Sequence, residues 1–170
     1  MNIKTITVGE LEENCYLLIK NDKCLIIDPG DEFDKIKEEV GSLKVIGCLV
    51  THYHQDHIGA LEEVISYYDI DINKPDLKIF PIETIETPGH TTESKTFYLP
   101  KEKIMFTGDF LFKDSFGRTD LGGYDPDMID SIKMIRKYPD DITIYPGHGE
   151  SSTLGKEKQH FDYYINWLQK

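Results

Sequence analysis

The sequence predicts a layered α/β protein, and three observations predict it. Apolar runs with a period of two recur along the chain and end at glycine- or proline-containing turns. Between them lie stretches whose apolar residues repeat at helical spacing. The third observation is chemical: five of the six histidines, together with Asp56 and Asp109, fall where a strand ends and a turn begins. At 170 residues the chain suits one domain, or two small fused layers, with enough material to bury a real core.

Taken in order, the chain opens with three alternating runs, IKTITVG, NCYLLIK and KCLIID. Leu17/Ile19 and Leu25/Ile27 keep the period of two, and Asn21-Asp22 supplies turn chemistry, so a β-meander is expected. It ends at Asp28-Pro29-Gly30. Asp28 there is either a turn former or a partner that orients a ligand, and sequence alone favours the turn. Residues 31–40 read as a short helix with Phe33, Ile36 and Val40 inward, acids in the first turn and Gly41 as a stop. KVIGCLVT, nearly all apolar, reads as a strand covered on both faces. From Ile58 the spacing predicts another helix, with Leu61, Val64, Ile65 and Tyr68 on its stripe.

In the second half, LKIF and IETI read as short strands separated by Pro81, and Pro88-Gly89-His90-Thr91 as a tight turn. KTFYL and KIMFT are further strands, and Gly108-Asp109 places a carboxylate at the end of the second. Residues 113–124 have no period and three glycines, which predicts a loop. Asp125-Pro126 supplies N-cap and N1 chemistry for a helix that buries Met128, Ile129, Ile132 and Ile135 and stops before Pro139. ITIY is a last strand. A closing helix runs from about Leu154, with Phe161, Ile165 and Leu168 as its stripe.

Composition removes several function classes. The net charge is −12, with 31 acidic against 19 basic residues, and such a surface repels phosphate backbones, so no nucleic-acid partner is expected. No apolar run approaches the ~20 residues that span a bilayer, and the N-terminus is polar within a few residues. A soluble, cytoplasmic protein without membrane association follows as the expectation. Cys15, Cys24 and Cys48 form no Cys-x-x-Cys pair and lie in apolar runs, which suits buried reduced thiols.

The stretch THYHQDHIGA carries the chemistry. His52, His54 and Asp56 are two apart, so in an extended segment they point to one side and converge. His57 would sit in the first helical turn and face a second, adjacent ion. The alternative has Asp56 as an N-cap with the histidines exposed in a loop; the density of ligand-type residues argues against it. Counting ligands, His52, His54 and His90 would complete a three-nitrogen site. Asp56, His57 and His148 would make a mixed site, with Asp109 placed to bridge them. Each ion would keep a position open for water, the mark of a catalytic site, and Asp56 and Asp109 are the carboxylates assigned catalytic work. Between two metals ~3.5–4 Å apart a water ionises near neutral pH, so hydrolysis is the natural reaction.

Other residues carry two readings each. Arg118, one of two arginines, would either bind a substrate carboxylate or lock its own loop through Asp120 or Asp114, and the locking role is favoured. Tyr53 and Phe116 would line the substrate pocket or simply pack. Lys156 and Lys158 fit a solvated helix face better than an acidic substrate, and His160 has a solvent or packing role.

The ordered set Asp28, His52-x-His54-x-Asp56-His57, His90, Asp109, His148 resembles the metallo-β-lactamase superfamily across essentially the whole chain. LIIDPG, TPGHT, FTGDFLF, FGRTDLGG and YPGHGE resemble the glyoxalase II (hydroxyacylglutathione hydrolase) group, particularly its short bacterial members. The resemblance implies an αβ/βα four-layer sandwich over residues 1–170 as a single domain, with two mixed β-sheets flanked by helices and the metals at one edge. It implies two divalent metal ions, zinc first, with iron or manganese as alternatives. It also implies a small-molecule thioester substrate whose acyl carbonyl is attacked by a metal-bound hydroxide.

Two departures stand out. Only a single helix follows His148, so no C-terminal glutathione-binding domain is expected, and the segment from Gly59 to His90 is shorter than the family pattern. A second reading comes from persulfide dioxygenases, which resemble the chain in GRTD and hold one iron, here by His52, His90 and Asp109. Pro-Gly-His-Gly around His148 favours a second metal instead. A carboxylate at 109 disfavours β-lactamase activity, and the acidic charge disfavours a nuclease. A non-catalytic metal-binding module is the reading from another class.

Overall fold

Strand alternation builds the first of two compact units, Met1–Pro81 and Ile82–Lys170, into which the contacts of the chain divide. The computed structural model describes residues 1–74 and 78–170. The expected meander is present as β1 (Asn2–Val8), β2 (Glu13–Lys20) and β3 (Lys23–Ile27), antiparallel throughout. The connection through α1 (Phe33–Val40) returns the chain as β4 (Lys44–Leu49), which joins β3 in parallel to give a mixed sheet of order β1-β2-β3-β4. Cys15, Leu17, Cys24, Ile26 and Cys48 share an apolar cluster with Ile36 and Val40 of α1. Leu18, Leu25, Ile27 and Leu49 alternate onto the other face and are equally buried, which is why these strands read as nearly continuous apolar runs.

Local signals set the helix ends. Glu32 takes a left-handed φ of 50°, so α1 starts at Phe33 rather than among the preceding acids, and Gly41 closes it with its N–H on the Lys37 carbonyl. α2 (Gln55–Ile58) places His57 in a helical turn, as its position predicts. The helix expected to run on from Ile58 instead breaks and restarts as α3 (Leu61–Tyr68). The Ala60 N–H donates to the Pro29 carbonyl at 3.0 Å instead of back along the helix, which breaks the ladder, and Gly59 packs so close that an added Cβ would sit 2.2 Å from the Gly30 carbonyl oxygen. Leu77, first residue of the LKIF run, lies outside the described residues, and Lys78–Phe80 is a turn rather than a strand. Pro81 directly after it removes a donor that a ladder needs, and Phe80 is buried as a single anchor.

The second unit holds a mixed sheet of order β11-β10-β7-β6-β5. Its strands are β5 (Glu83–Glu86), β6 (Lys95–Leu99), β7 (Ile104–Gly108), β10 (Thr143–Pro146) and β11 (Ser152–Thr153), with β7 and β10 parallel. The stretch expected as a loop begins inside a small hairpin, β8 (Leu111–Phe112) with β9 (Ser115–Phe116), whose turn places Asp114 at a φ of 59°. In α4 (Asp125–Ile135) the N-cap is Tyr124, not Asp125; the Asp125 carboxylate instead accepts from the Thr119 hydroxyl. The closing helix is divided into α5 (Leu154–Glu157), a 3-10 turn at Lys158–His160, and α6 (Phe161–Leu168). Met128 and Ile132 of α4 and Phe161 and Leu168 of α6 bury against Met105 and Ile144 of the sheet. Each unit is thus a mixed sheet with helices against it. Among the described residues no helix is long and apolar enough to cross a membrane.

Candidate metal centre

In the first unit, the end of β4 delivers Thr51 and His52 beside Asp28, which ends β3 at a φ of 50°. The Asp28 N–H donates to the Leu49 carbonyl at 3.0 Å. Its Oδ1 accepts from the Thr51 N–H at 2.7 Å and its Oδ2 from the Thr51 hydroxyl at 2.6 Å. The same Oδ2 lies 3.0 Å from His57 Nδ1. Asp28 is therefore more than the turn former its sequence context favours: it orients a histidine. With Nδ1 donating to this carboxylate, His57 Nε2 keeps its lone pair for a metal, and it stands 3.7 Å from Asp56 Oδ2. His52 Nε2 and His54 Nδ1 approach to 3.2 Å, close to the ~3.3 Å separation of two nitrogens on one tetrahedral zinc. His52 and His57 are buried, and His54 and Asp56 are partly exposed.

Glycine makes this packing feasible. A Cβ on Gly30 would lie 1.8 Å from the Asp56 carbonyl oxygen, so the DPG turn and the ligand helix fit only with hydrogen there. Behind His57 stands Glu13, 1% exposed, its Oε1 3.7 Å from Nδ1. Glu13, Asp28 and His57 form a wholly buried acid–histidine group. Sequence reasoning missed Glu13, because a glutamate at the first position of a strand carries the signal of an exposed residue. Beside Asp56 a cavity of about 440 Å³ is rimmed by Glu10, Leu11, Asp31 and Gln55.

In the second unit three strand ends meet. His90 sits on the tight turn after β5, where Gly89 has a φ of 143° and a Cβ would lie 2.5 Å from Met128 Cα. His90 Nδ1 donates to the Arg118 carbonyl at 2.7 Å, which turns Nε2 toward Asp109 Oδ2 at 3.5 Å. His148 Nε2 lies 3.6 Å from that same oxygen. The Gly147 N–H donates to the Gly108 carbonyl at 2.9 Å, tying the ends of β7 and β10 that carry Asp109 and His148. Gly117 closes the arrangement from behind: a Cβ there would lie 1.8 Å from the Asp109 carbonyl oxygen and 3.1 Å from His90 Cγ.

Most of the residues given two readings have structural partners. The Arg118 fork binds both oxygens of Asp120 at 2.6 Å, which holds both carboxyl oxygens and keeps Asp120 below the usual carboxylate range. The backbone carbonyl of Arg118, not its side chain, touches the site. Phe116 packs against the rings of Tyr164 and Trp167. Tyr53 is exposed and its hydroxyl lies 3.4 Å from Asn73 Nδ2. Lys158 donates to Asp140 and the Tyr138 carbonyl, and His160 stands 3.6 Å from Asp114.

Imidazole nitrogens oriented by carbonyl or carboxylate partners, together with nearby carboxylate oxygens, are donors of the kind that first-row divalent ions take.

The chain matches a family model described as the metallo-beta-lactamase superfamily over residues 8–84 and 76–148. It is 32% identical to the probable metallo-hydrolase YqgX of Bacillus subtilis, with 94% of this chain and 96% of that protein covered. That alignment takes 203 positions, more than the chain has residues, so the relative carries segments absent here. The two family matches meet at 76–84, inside the stretch that reads as short in the sequence. Identity is also 32% to the hydroxyacylglutathione hydrolase GloC of Haemophilus influenzae, covering 94% and 96%. Among solved structures, the BLEG-1 B3 metallo-beta-lactamase superposes with a TM-score of 0.88 at 29% identity, over 96% of this chain and 99% of that one. TTHA1623, solved in a di-iron-bound form, gives 0.82 at 29% identity, over 91% and 96%.

Proposed function

Because the chain belongs to the metallo-β-lactamase superfamily, we propose that it is a dinuclear metal-dependent hydrolase of small-molecule thioesters, of the hydroxyacylglutathione hydrolase type. One observation carries the dinuclear reading: a single oxygen, Asp109 Oδ2, has an imidazole nitrogen on each side, at 3.5 and 3.6 Å. A one-ion reading through His52, His90 and Asp109 would leave His148 out, whereas a two-ion assignment uses both imidazoles beside this oxygen. In it His52, His54 and His90 would hold one ion and Asp56, His57 and His148 the other, with Asp109 shared between them. The 32% identity to the hydroxyacylglutathione hydrolase GloC of Haemophilus influenzae supports the thioester substrate.

When bound, such ions supply an acidified water and a Lewis acid for the acyl oxygen. The residues of the chain do the rest. Asp28 and the Arg118 carbonyl fix the proton-bearing nitrogens of His57 and His90. Asp56 would accept a hydrogen bond from the attacking water, take up its proton and pass it to the leaving thiolate, while Asp109 would orient that water. Asp56, partly exposed beside the cavity at Gln55, stands where substrate enters. Arg118 contributes to substrate binding only by exchanging Asp120 for a substrate carboxylate. Zinc is the first assignment, and the oxygen-richer second set also suits iron or manganese. Three free, buried thiols support a reducing, cytoplasmic setting.

The test is turnover of a generic thioester by metal-loaded protein, beside Asp109→Asn. Hydrolysis by the wild type that falls at least 100-fold in the variant supports the reading. Bound metal with no hydrolysis of any ester or thioester supports the binding module instead.

A further inference from the structure

We propose that Asn73 is a positioning residue whose side-chain amide completes the edge of β4 where a neighbouring strand is cut short, and so directs how His52 and His54 leave the sheet. The inference rests on reading those histidines as metal ligands.

Among the described residues, β4 carries on its edge away from β3 a single parallel bridge, Cys48 with Ile72. The Asn73 N–H donates to the Cys48 carbonyl at 2.8 Å. In a parallel ladder the next bond would run from the Val50 N–H to the main-chain carbonyl of Asn73. Asn73 instead takes a φ of 53°, which turns the chain away, and the Val50 N–H donates to Asn73 Oδ1 at 3.0 Å. One carbonyl has replaced another on the same residue. Asparagine suits this because it tolerates the left-handed conformation and its amide copies a peptide group.

Position gives the substitution a purpose. Val50 is 1% exposed, so without a partner its N–H would be a buried, unpaired donor two residues before His52. The other end of the amide, Nδ2, donates to the hydroxyl of Tyr53, the residue between the two histidines. One side chain thus fixes the backbone before His52 and the side chain after it. The family match breaks only a few residues further on.

The test compares Asn73→Gly, which keeps the left-handed backbone and the bond to Cys48 but removes the amide, with Asn73→Asp, which keeps the acceptor. In metal-free protein, imidazole proton–nitrogen spectra should show His52 and His54 shifted or broadened in the glycine variant, with His148 and His160 unmoved. The aspartate variant, which keeps the acceptor for the Val50 N–H, should leave the His52 signal near wild type. In zinc-loaded protein, a chelator should remove one of two ions ~10- to 100-fold more readily from the glycine variant, the scale expected for lost support of a ligand. Unchanged His52 and His54 signals in the glycine variant would overturn the proposal, as would equal perturbation of all histidines with a general loss of stability. Wild-type protein that binds fewer than two ions would instead count against the dinuclear reading, and the metal-free spectra would still decide the role of Asn73.

Discussion

At the scale of single residues, Asp28 shows how one carboxylate sets a site. It accepts from the Thr51 N–H, the Thr51 hydroxyl and His57, all buried. Asp28→Ala leaves those donors unpaired, so denaturant unfolding should show a loss of about 3 kcal/mol, and metal affinity should drop ~10- to 100-fold. His54→Ala, which removes a partly exposed ligand, should abolish hydrolysis and lower metal content while circular dichroism and melting temperature stay near wild type; full activity would sink the two-ion reading. The candidate ligands stand out in the sequence because metal ligation needs particular residue types at fixed spacing. Asp28 was half legible, since Asp-Pro-Gly is also turn chemistry. The Arg118 carbonyl that holds His90 was not legible at all, because every residue has a carbonyl.

At the scale of elements, the segment from Thr107 to Arg118 holds the second unit's ligands. Thr107 donates to the Leu111 carbonyl at 2.7 Å, and at the hairpin tip the Asp114 N–H donates to buried Glu157 at 2.7 Å. Gly117→Ala should push the loop off Asp109 and His90 and lower metal affinity at least ~10-fold, on the scale of losing a ligand's support. Gly122→Ala is its control: a φ of 101° strains alanine by about 1 kcal/mol, but nothing lies within 4 Å, so metal binding should not change. Equal metal loss in both would show that the close approach at Gly117 is unimportant. The meander, α1 and α4 were legible because their periods are long enough to read. β8 and β9 are two residues each and carry no period, and the break between α2 and α3 comes from the bond of the Ala60 N–H to the Pro29 carbonyl, remote in sequence.

At the scale of the whole molecule, the superfamily fold was legible from ordered ligands, whereas the parallel pairings of β3 with β4 and β7 with β10 were not, since local patterns do not encode which distant strands pair. Burial raises the pKa of all three thiols, Cys24 to about 11. Unfolded thiols ionise near 8.5, so above that pH the folded chain binds more protons than the unfolded one. Stability should therefore hold to about pH 8, then fall by up to about 1.4 kcal/mol per pH unit per thiol as pH rises toward the folded values. Denaturation curves at pH 7 to 10 would show it, and a thiol reagent should stay silent until the protein unfolds. The most direct test of the dinuclear hydrolase is metal analysis of protein purified without added metal, paired with thioester turnover and with oxygen consumption on a persulfide. Two metal equivalents, thioester hydrolysis and no oxygen uptake are expected; a single iron with oxygen uptake would contradict the account.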